Sequence, residues 1–360
     1  VKRNFDTEAH VRALSLLVFC PERSDESVHH VAGLDETGRQ EFFRLADTHH
    51  VVVRALQPLQ RKARVIGDGE LVKITKTLLE REHDRIAKAL THLDRVCARI
   101  KAAGCEVTVI KTLDHWPDFG SDLDLFTNGD ERRLVHVLKS ELRARHCMRT
   151  LGDRIAHKRS FAIPGLPERV ELHVNRLGPV GEHIKLAKRF ITRSQPANFN
   201  ELTFQIPAPE EQVIAGTLQR MYRNHYIRIC DFCNTASLIE SKMLDFVDLR
   251  VAAEEAGVWP GVATFLTLAV DYVTKYRGDR LELPDSVIAS SHFRADRTPV
   301  RGEYFRFPVL PYGLGLYIHQ LRQTARSGNI PGTARLSLVP PLASMGALAH
   351  AVTGNSGRVW

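Results

Sequence analysis

Nowhere in its 360 residues does the chain run apolar for the roughly 18 positions that a membrane-spanning helix needs. The amino end, Val1-Lys2-Arg3-Asn4-Phe5-Asp6, lacks the apolar centre of a secretory signal. A cytoplasmic protein with no membrane partner is therefore expected. Cysteine is sparse: Cys20, Cys97, Cys105, Cys147, Cys230 and Cys233 are too scattered to frame a disulfide scaffold in a chain of this length. Aromatic residues make up only 7% and do not interleave with basic ones, which argues against a module that reads RNA by base stacking. No Walker-type Gly-x4-Gly-Lys-Ser/Thr occurs, Gly129 and Gly152 do not form a glycine-rich phosphate loop, and no internal repeat is visible.

What is present is a hydrophobic fraction of 43%, enough for a real core in a chain long enough for about two or three domains. The formal charge is +8 and the pI near 9.3. The basic residues gather in Arg54–Arg64, Arg143–Arg159, Arg220–Arg228 and Arg277–Arg301. Such a balance attracts any polyanion, from a nucleoside triphosphate to tRNA, and does not choose between them.

Periodicity divides the chain. Residues 1–104 read as helical, most clearly over Leu71 to Ala103, where Ile86, Leu90, Leu93, Cys97 and Ile100 step by four and three. Ala103-Gly104 is a helix end with glycine in the left-handed position, and Glu106 to Ile110 is a β-branched strand. Asn128-Gly129-Asp130 reads as turn and N-cap, followed by helical spacing from Glu131 to His146. Lys158–Ile163 and Arg169–Val174 are strands joined by Pro164-Gly165-Leu166-Pro167. Pro207-Ala208-Pro209-Glu210 breaks the sheet region and starts a helix. The expected class is α+β: a small mixed β-sheet over 105–207, flanked by helical regions over 1–104 and 208–285. An irregular extension follows over 286–360, with Phe305 to Tyr317 packed back on the body and the end from Ala343 loose.

The most informative stretch is Phe119-Gly120-Ser121-Asp122-Leu123-Asp124-Leu125-Phe126. On a strand, Asp122 and Asp124 share a face while Leu123 and Leu125 point to the core. Two carboxylates held side by side call for a hard cation, Mg²⁺ or Mn²⁺ in its place, which completes its shell with water and phosphate oxygens. Alternation along Arg169–Val174 adds Glu171 and His173 to a polar face. Three acidic groups in one cleft can hold two metal ions that activate an attacking oxygen and neutralise a leaving phosphate. Other constellations are weaker. Cys230-Asp231-Phe232-Cys233 has no second pair and reads as a coincidence within a helix. Adjacent side chains in His29-His30 and His49-His50 diverge, so neither pair suits a single ion.

Val109-Ile110-Lys111-Thr112, then Gly120-Ser121-Asp122-Leu123-Asp124-Leu125, then Val170-Glu171-Leu172-His173 resemble the DNA polymerase beta type nucleotidyltransferase superfamily. More narrowly, they are similar to a bacterial group known as nucleotidyltransferase family proteins. Weaker likenesses are Glu41-Phe42-Phe43-Arg44-Leu45-Ala46 with His49-His50, and the stretch from Glu210-Glu211-Gln212 through His225, Arg228 and Asp231. The resemblance spans about residues 10 to 270. It implies that Asp122, Asp124 and Glu171 bind the metals and that Gly120 and Ser121 lie near the triphosphate. It also sets a departure: where the superfamily has a Gly-Ser or Gly-Gly pair at the end of the first strand, this chain has Lys111-Thr112. Thr112 resists the conformations glycine allows, and Lys111 offsets this by placing an ammonium against the triphosphate. His173 is expected to orient Glu171 or touch substrate.

The reading that follows is a Mg²⁺-dependent nucleotidyltransferase moving NMP, with ATP as the expected donor, to a hydroxyl of a small-molecule acceptor while pyrophosphate leaves. The 3′ end of tRNA or another RNA, or a protein hydroxyl, is the alternative acceptor. A non-catalytic nucleotide- or RNA-binding module is the alternative class.

Overall fold

Asp, Gly and Pro punctuate the chain where its helices begin and end. In the computed structural model, which describes residues 2–344, Asp68 accepts a hydrogen bond from the Leu71 amide and Asp130 from the Arg133 amide, each satisfying a first-turn donor that has no partner within its own helix. Gly104 sits at φ +73°, the left-handed conformation that ends a helix at little cost for a residue without Cβ. Residues 345–360 lie outside the described residues, and with them most of the expected loose end.

The amino-terminal part is helical: α1 (Lys2–Phe19), α2 (Asp25–Ala32), α3 (Glu36–Thr48), α4 (Val52–Val65) and the long α5 (Gly69–Ala102). The middle holds β1 (Val107–Val109), β2 (Asp122–Thr127), α6 (Glu131–Leu142), β3 (Arg145–His146), α7 (Leu151–Ile155), β4 (Lys158–Ala162), β5 (Arg169–Val174), α8 (Ile184–Thr192) and a hairpin of β6 (Gln195–Phe199) with β7 (Leu202–Ile206). The carboxy-terminal part contains α9 (Pro209–Thr217), β8 (Tyr226–Ile227), α10 (Ile229–Glu240), α11 (Phe246–Glu255), α12 (Trp259–Arg277), α13 (Asp285–Ser290), β9 (Val300–Arg301), β10 (Tyr304–Arg306), α14 (Leu314–Arg326) and α15 (Ile330–Leu336). The class is α+β, a small mixed sheet with helices before and after it. Among the described residues no helix is long and apolar enough to cross a membrane.

The main sheet runs β1-β2-β5-β4-β3. Its central pair, β2 with β5, is parallel and its other pairs are antiparallel. One face is apolar: Leu123, Leu125, Val170 and Leu172 pack with Ile86, Leu90, Leu93 and Ile100 of α5 and with Leu134 and Leu138 of α6. The other face divides along its length. Phe126 is covered by Phe190 of α8, ring centroids 6.2 Å apart, which leaves the polar first half of β2 open beyond it.

The stretch from 286 is more regular than its composition suggests. It contributes β9 and β10, which pair with each other, β10 also pairing with β8, and the helices α14 and α15. The period is hidden in sequence because the inner side of α14 is Leu316, Gln320 and Thr324, two of them polar. Gln320 spends its amide on Glu182 and His183, at 3.4 and 3.1 Å.

One cation ties α5 to the starts of both central strands. Arg85 donates to Glu82 and Glu168, each at 2.6 Å, and to the carbonyls of Phe119 and Gly120 at 3.3 Å. Glu168 is buried next to β5, and Phe119-Gly120 leads into β2. Removing the guanidinium leaves Glu168 as a buried carboxylate without its counter-charge. Arg85→Ala is therefore expected to cost about 3 kcal/mol or more in urea unfolding, and the double variant with Glu168→Gln to recover much of that loss.

Candidate functional site

The carboxylates of the Asp-x-Asp motif owe their position to Thr112. Its hydroxyl accepts from the Asp124 amide at 2.7 Å and donates to the Asp122 carbonyl at 3.3 Å, so a side chain continues the ladder where β1 has already ended. Thr112 itself is right-handed helical (φ −57°, ψ −48°), so its branched side chain meets no strain. The unusual backbone belongs to Lys111, at φ +61°. Placing a non-glycine residue there costs on the order of 1–2 kcal/mol. The turn aims the Lys111 ammonium at Asp124, with Nζ 2.6 Å from Oδ1. The expected resistance of Thr112 to a glycine conformation is thus corrected: the left-handed residue is the lysine, anchored by an ion pair.

Parallel register sets Asp124 directly beside Glu171. Glu171 is ion-paired with Lys158 of β4, and Ser160 donates to it at 3.4 Å. His173, two residues on and on the same face, has Nε2 3.0 Å from Asp124 Oδ1. It therefore orients Asp124 rather than Glu171. Donor atoms of Asp124, Glu171 and His173 lie within 4.8 Å of one another, close enough to share an ion. Asp122 stands on the same strand face at the wall of the cavity, outside that grouping. Ser121 also lines the cavity, whereas Gly120 is buried behind it with its carbonyl held by Arg85.

The charges are unevenly compensated. Burial works against the charge of Asp124, but Lys111 and His173 hold its carboxyl far below the usual carboxylate range. Burial lowers the His173 pKa, leaving a neutral ring that donates through Nε2. Asp122 has no such support. Burial first, then the neighbouring charges of Glu171 and Asp124, push it up to about 6. A carboxylate strained in this way fits a hard divalent cation nearby, for which Asp124, Glu171 and His173 bring ligand atoms together and Asp122 offers a further oxygen at the cavity wall.

These groups face a cavity of about 680 Å³. Much of its remaining wall is cationic, with Asp153 and neutral side chains between the basic ones. Arg149 follows β3, Arg169 heads β5 in register beside Asp122, and Arg220, Arg223 and Arg228 come from the carboxy-terminal region. The latter follow from an irregularity: α9 continues as a wider π-type helix over Leu218–Asn224, which puts Gln219, Arg220, Arg223 and Asn224 on one side. Arg220 is only 1% exposed. Its Nε lies 2.7 Å from Asp231, but its Nη1 has no hydrogen-bond partner among the described residues, nor do Nε of Arg149 and Nε of Arg228. Arg228 is held from behind by the stacked rings of Tyr226 and Tyr304, each centroid 5.7 Å away, and by His50, whose neutral ring accepts from it. Buried guanidinium donors without acceptors are costly alone and favourable with an anion among them.

The remaining sequence candidates resolve simply. His50 stacks on His115, and His49 accepts from the Ile229 amide at 3.1 Å, so the pair serves packing and not a shared ion. Cys230 and Cys233 are buried free thiols in α10, both pushed up by burial, Cys233 to about 12. Sequence reading missed the cavity arginines as individuals. Two of its four basic clusters, Arg143–Arg159 and Arg220–Arg228, supply five of the cationic side chains in this wall, and their flanking of the acidic motif was the available signal.

No family model matches the chain, and no curated protein matches it. Among solved structures the chain is similar to the crystal structure of an antigenic nucleotidyltransferase-like protein from Paracoccidioides brasiliensis. The identity is 14%, the match covers 57% of this chain and 94% of that one, and the TM-score is 0.31.

Asp122 gives a stability test. A carboxyl whose folded pKa is raised binds its proton more tightly when folded, so its penalty is full above about pH 6 and fades as pH falls towards the unfolded aspartate range. Without metal, Asp122→Asn is expected to stabilise the protein by about 1–2 kcal/mol at pH 7.5 after allowance for solvent screening, with the gap closing near pH 4. Thermal melts in EDTA across this range check it. Added Mg²⁺ should raise the melting temperature of the wild type more than that of the variant.

Proposed function

We propose that this protein is a metal-dependent nucleotidyltransferase, which moves NMP from an NTP, with ATP as the expected donor, to a hydroxyl of a small-molecule acceptor. The observation that carries the reading is Asp124 in register beside Glu171, with Asp122 at the wall of the same cavity, where buried guanidinium donors lack acceptors. Carboxylates alone suit a cation, and arginines alone suit an anion. Both in one cleft suit a metal-bound polyphosphate. When bound, Mg²⁺ or Mn²⁺ would supply charge neutralisation at the α-phosphate and lower the pKa of the attacking hydroxyl.

The chain's own groups have separable tasks. Lys111 and His173 fix Asp124, and Lys158 fixes Glu171, so the metal-binding oxygens are positioned before substrate arrives. Arg220, Arg223 and Arg228 receive the β- and γ-phosphates, with Lys111 beside them. Glu171 takes the proton of the acceptor hydroxyl. The hydroxyl oxygen bonds to the α-phosphorus as the bond to the β-phosphate bridge breaks, and pyrophosphate leaves with the electron pair. The Lys111-Thr112 departure fits this scheme, since the lysine supplies positive charge at the position expected to supply glycine amides.

Asp124→Asn is expected to lower NTP-dependent pyrophosphate release at least about a thousandfold with the fold intact by circular dichroism. Arg223→Ala, at an exposed position, should instead weaken NTP affinity about tenfold. Undiminished NTP consumption by a variant carrying both Asp122→Asn and Asp124→Asn would overturn the assignment. Mg²⁺-dependent NTP binding without pyrophosphate release in any acceptor screen would make the protein a binding module.

A further inference from the structure

A second concavity, of about 390 Å³, shares no residue with the cavity of the acidic motif. Its lining includes His292, Gly315, His319, Arg322 and Arg326 and no acidic residue. Gly315, His319, Arg322 and Arg326 follow one another at steps of four, three and four, which places them on one side of α14, while Leu316, Gln320 and Thr324 turn inward. His292 reaches the same groove from the segment after α13. Its amide donates to the buried Thr264 hydroxyl at 2.9 Å, and Phe293 beside it packs on Phe307 and Tyr312, so the segment is anchored. The His292 and His319 rings stand edge to face with centroids 6.4 Å apart.

These basic groups are not compensated, although others beside them are. Arg294, two residues after His292, donates to Asp271 at 2.8 and 2.5 Å, and Arg297 is paired with Asp296 at 3.0 Å. Arg322 and Arg326 have no hydrogen bond or ion pair among the described residues. Burial lowers the His319 pKa, and the charges of His292 and Arg326 lower it further, with no acid opposing them. Two imidazoles alone would suit a transition metal, but guanidinium groups next to them repel a cation and attract an anion. Gly315 adds a steric observation. A Cβ there would meet no atom within 4 Å, so packing does not require a glycine, and its bare backbone leaves the groove open.

We propose that this groove is a second ligand site, separate from the carboxylate cavity, which takes a small phosphate-bearing anion on Arg322, Arg326, His319 and His292. Guanidinium forks match phosphate oxygens, and the imidazoles add two donors at the other side of the groove. The size is that of a small-molecule pocket, and no Phe, Tyr or Trp lines it on which a nucleobase could stack, so a small phosphate fits better than an RNA strand. The shared chemistry is a phosphate dianion, carried by an anhydride such as pyrophosphate or by an ester such as a sugar phosphate. The site does not depend on the nucleotidyl-transfer reading.

Nuclear magnetic resonance on the full chain, with histidine labelled at Cε1, reads the site directly. The His292 and His319 signals are identified by their loss in His292→Gln and His319→Gln, so binding in the carboxylate cavity is not mistaken for binding here. Pyrophosphate and glucose 6-phosphate are titrated at constant ionic strength, and saturable shifts of both signals are expected, the tighter probe naming the source. The variant with both Arg322→Ala and Arg326→Ala should raise the half-saturating concentration about tenfold or more, and the corresponding double lysine variant should recover part of the loss. Gly315→Leu, which keeps every charge and fills the groove, should also weaken binding, with the fold intact by circular dichroism. The proposal is overturned if neither probe gives a saturable shift, or if the double alanine variant binds as tightly as wild type. Tighter binding of a short RNA oligonucleotide than of both probes at these two signals also overturns it, making the groove part of an RNA surface. None of these outcomes bears on the nucleotidyl-transfer reading.

Discussion

Three carboxylates brought to one cleft repel one another, and most of the surrounding structure is arranged to hold them there. The parallel pairing of β2 and β5 sets Asp124 against Glu171 in register, and it is stabilised from behind by the apolar face packed on α5 and α6. Burying one leucine side chain there contributes about 1.5–3 kcal/mol, so the several apolar side chains of this face together outweigh a carboxylate repulsion of about 4 kcal/mol. Compensation in front is selective. Asp124 has Lys111 and His173, Glu171 has Lys158, and Asp122 has a weak contact from Ser121 at 3.4 Å. The uncompensated charge is concentrated on one residue at the cavity wall, where a cation can reach it.

The opposite wall carries the complementary strain. Arg220 and Arg228 are braced so that their guanidinium groups stay in place, yet donors on each lack acceptors. That wall is joined to the sheet region by a second charge network. Arg189 of α8 reaches Glu211 of α9 at 2.7 Å and Asp248 of α11 at 2.5 Å, while Arg193 reaches Glu210 at 2.8 Å and Asp248 at 3.0 Å. Glu210 and Glu211 are buried, so each depends on these arginines for its charge. The network therefore fixes the distance between the carboxylates and the helical arginines, which are separated by about a hundred residues in sequence. Both halves of the site are held apart from their ideal partners by forces that act elsewhere.

How much of this was legible follows from the range of each interaction. Strand alternation is local, so Asp122, Asp124, Glu171 and His173 could be placed on one polar side from sequence, and the sheet and its flanking helices with them. Backbone handedness is local too, but nothing in the letters marks Lys111 as left-handed, because only the reach of its side chain to Asp124 offsets the cost. Arg85 could not be singled out within α5, since its partners Phe119, Gly120 and Glu168 come from two later segments. The arginines of Leu218–Asn224 fall on one side only because the helix there widens, a change that a 3.6-residue period does not anticipate. The helix α14 was hidden for the opposite reason: polar Gln320 and Thr324 occupy positions where a period search looks for apolar residues.

Residues that resist a sequence reading here are also those that contradict ordinary folding preferences. A left-handed lysine, a carboxylate with its proton affinity raised, and buried guanidinium donors without acceptors each make the free protein less stable than a locally consistent alternative. They occur together at one cavity, whereas the surrounding sheet and helices keep to capping, alternation and apolar spacing. Independent accidents of packing would have no reason to be so gathered. A single ligand that is cationic where the carboxylates converge and anionic where the arginines converge relieves the carboxylate and guanidinium strains together, and a metal-bound polyphosphate has that distribution of charge.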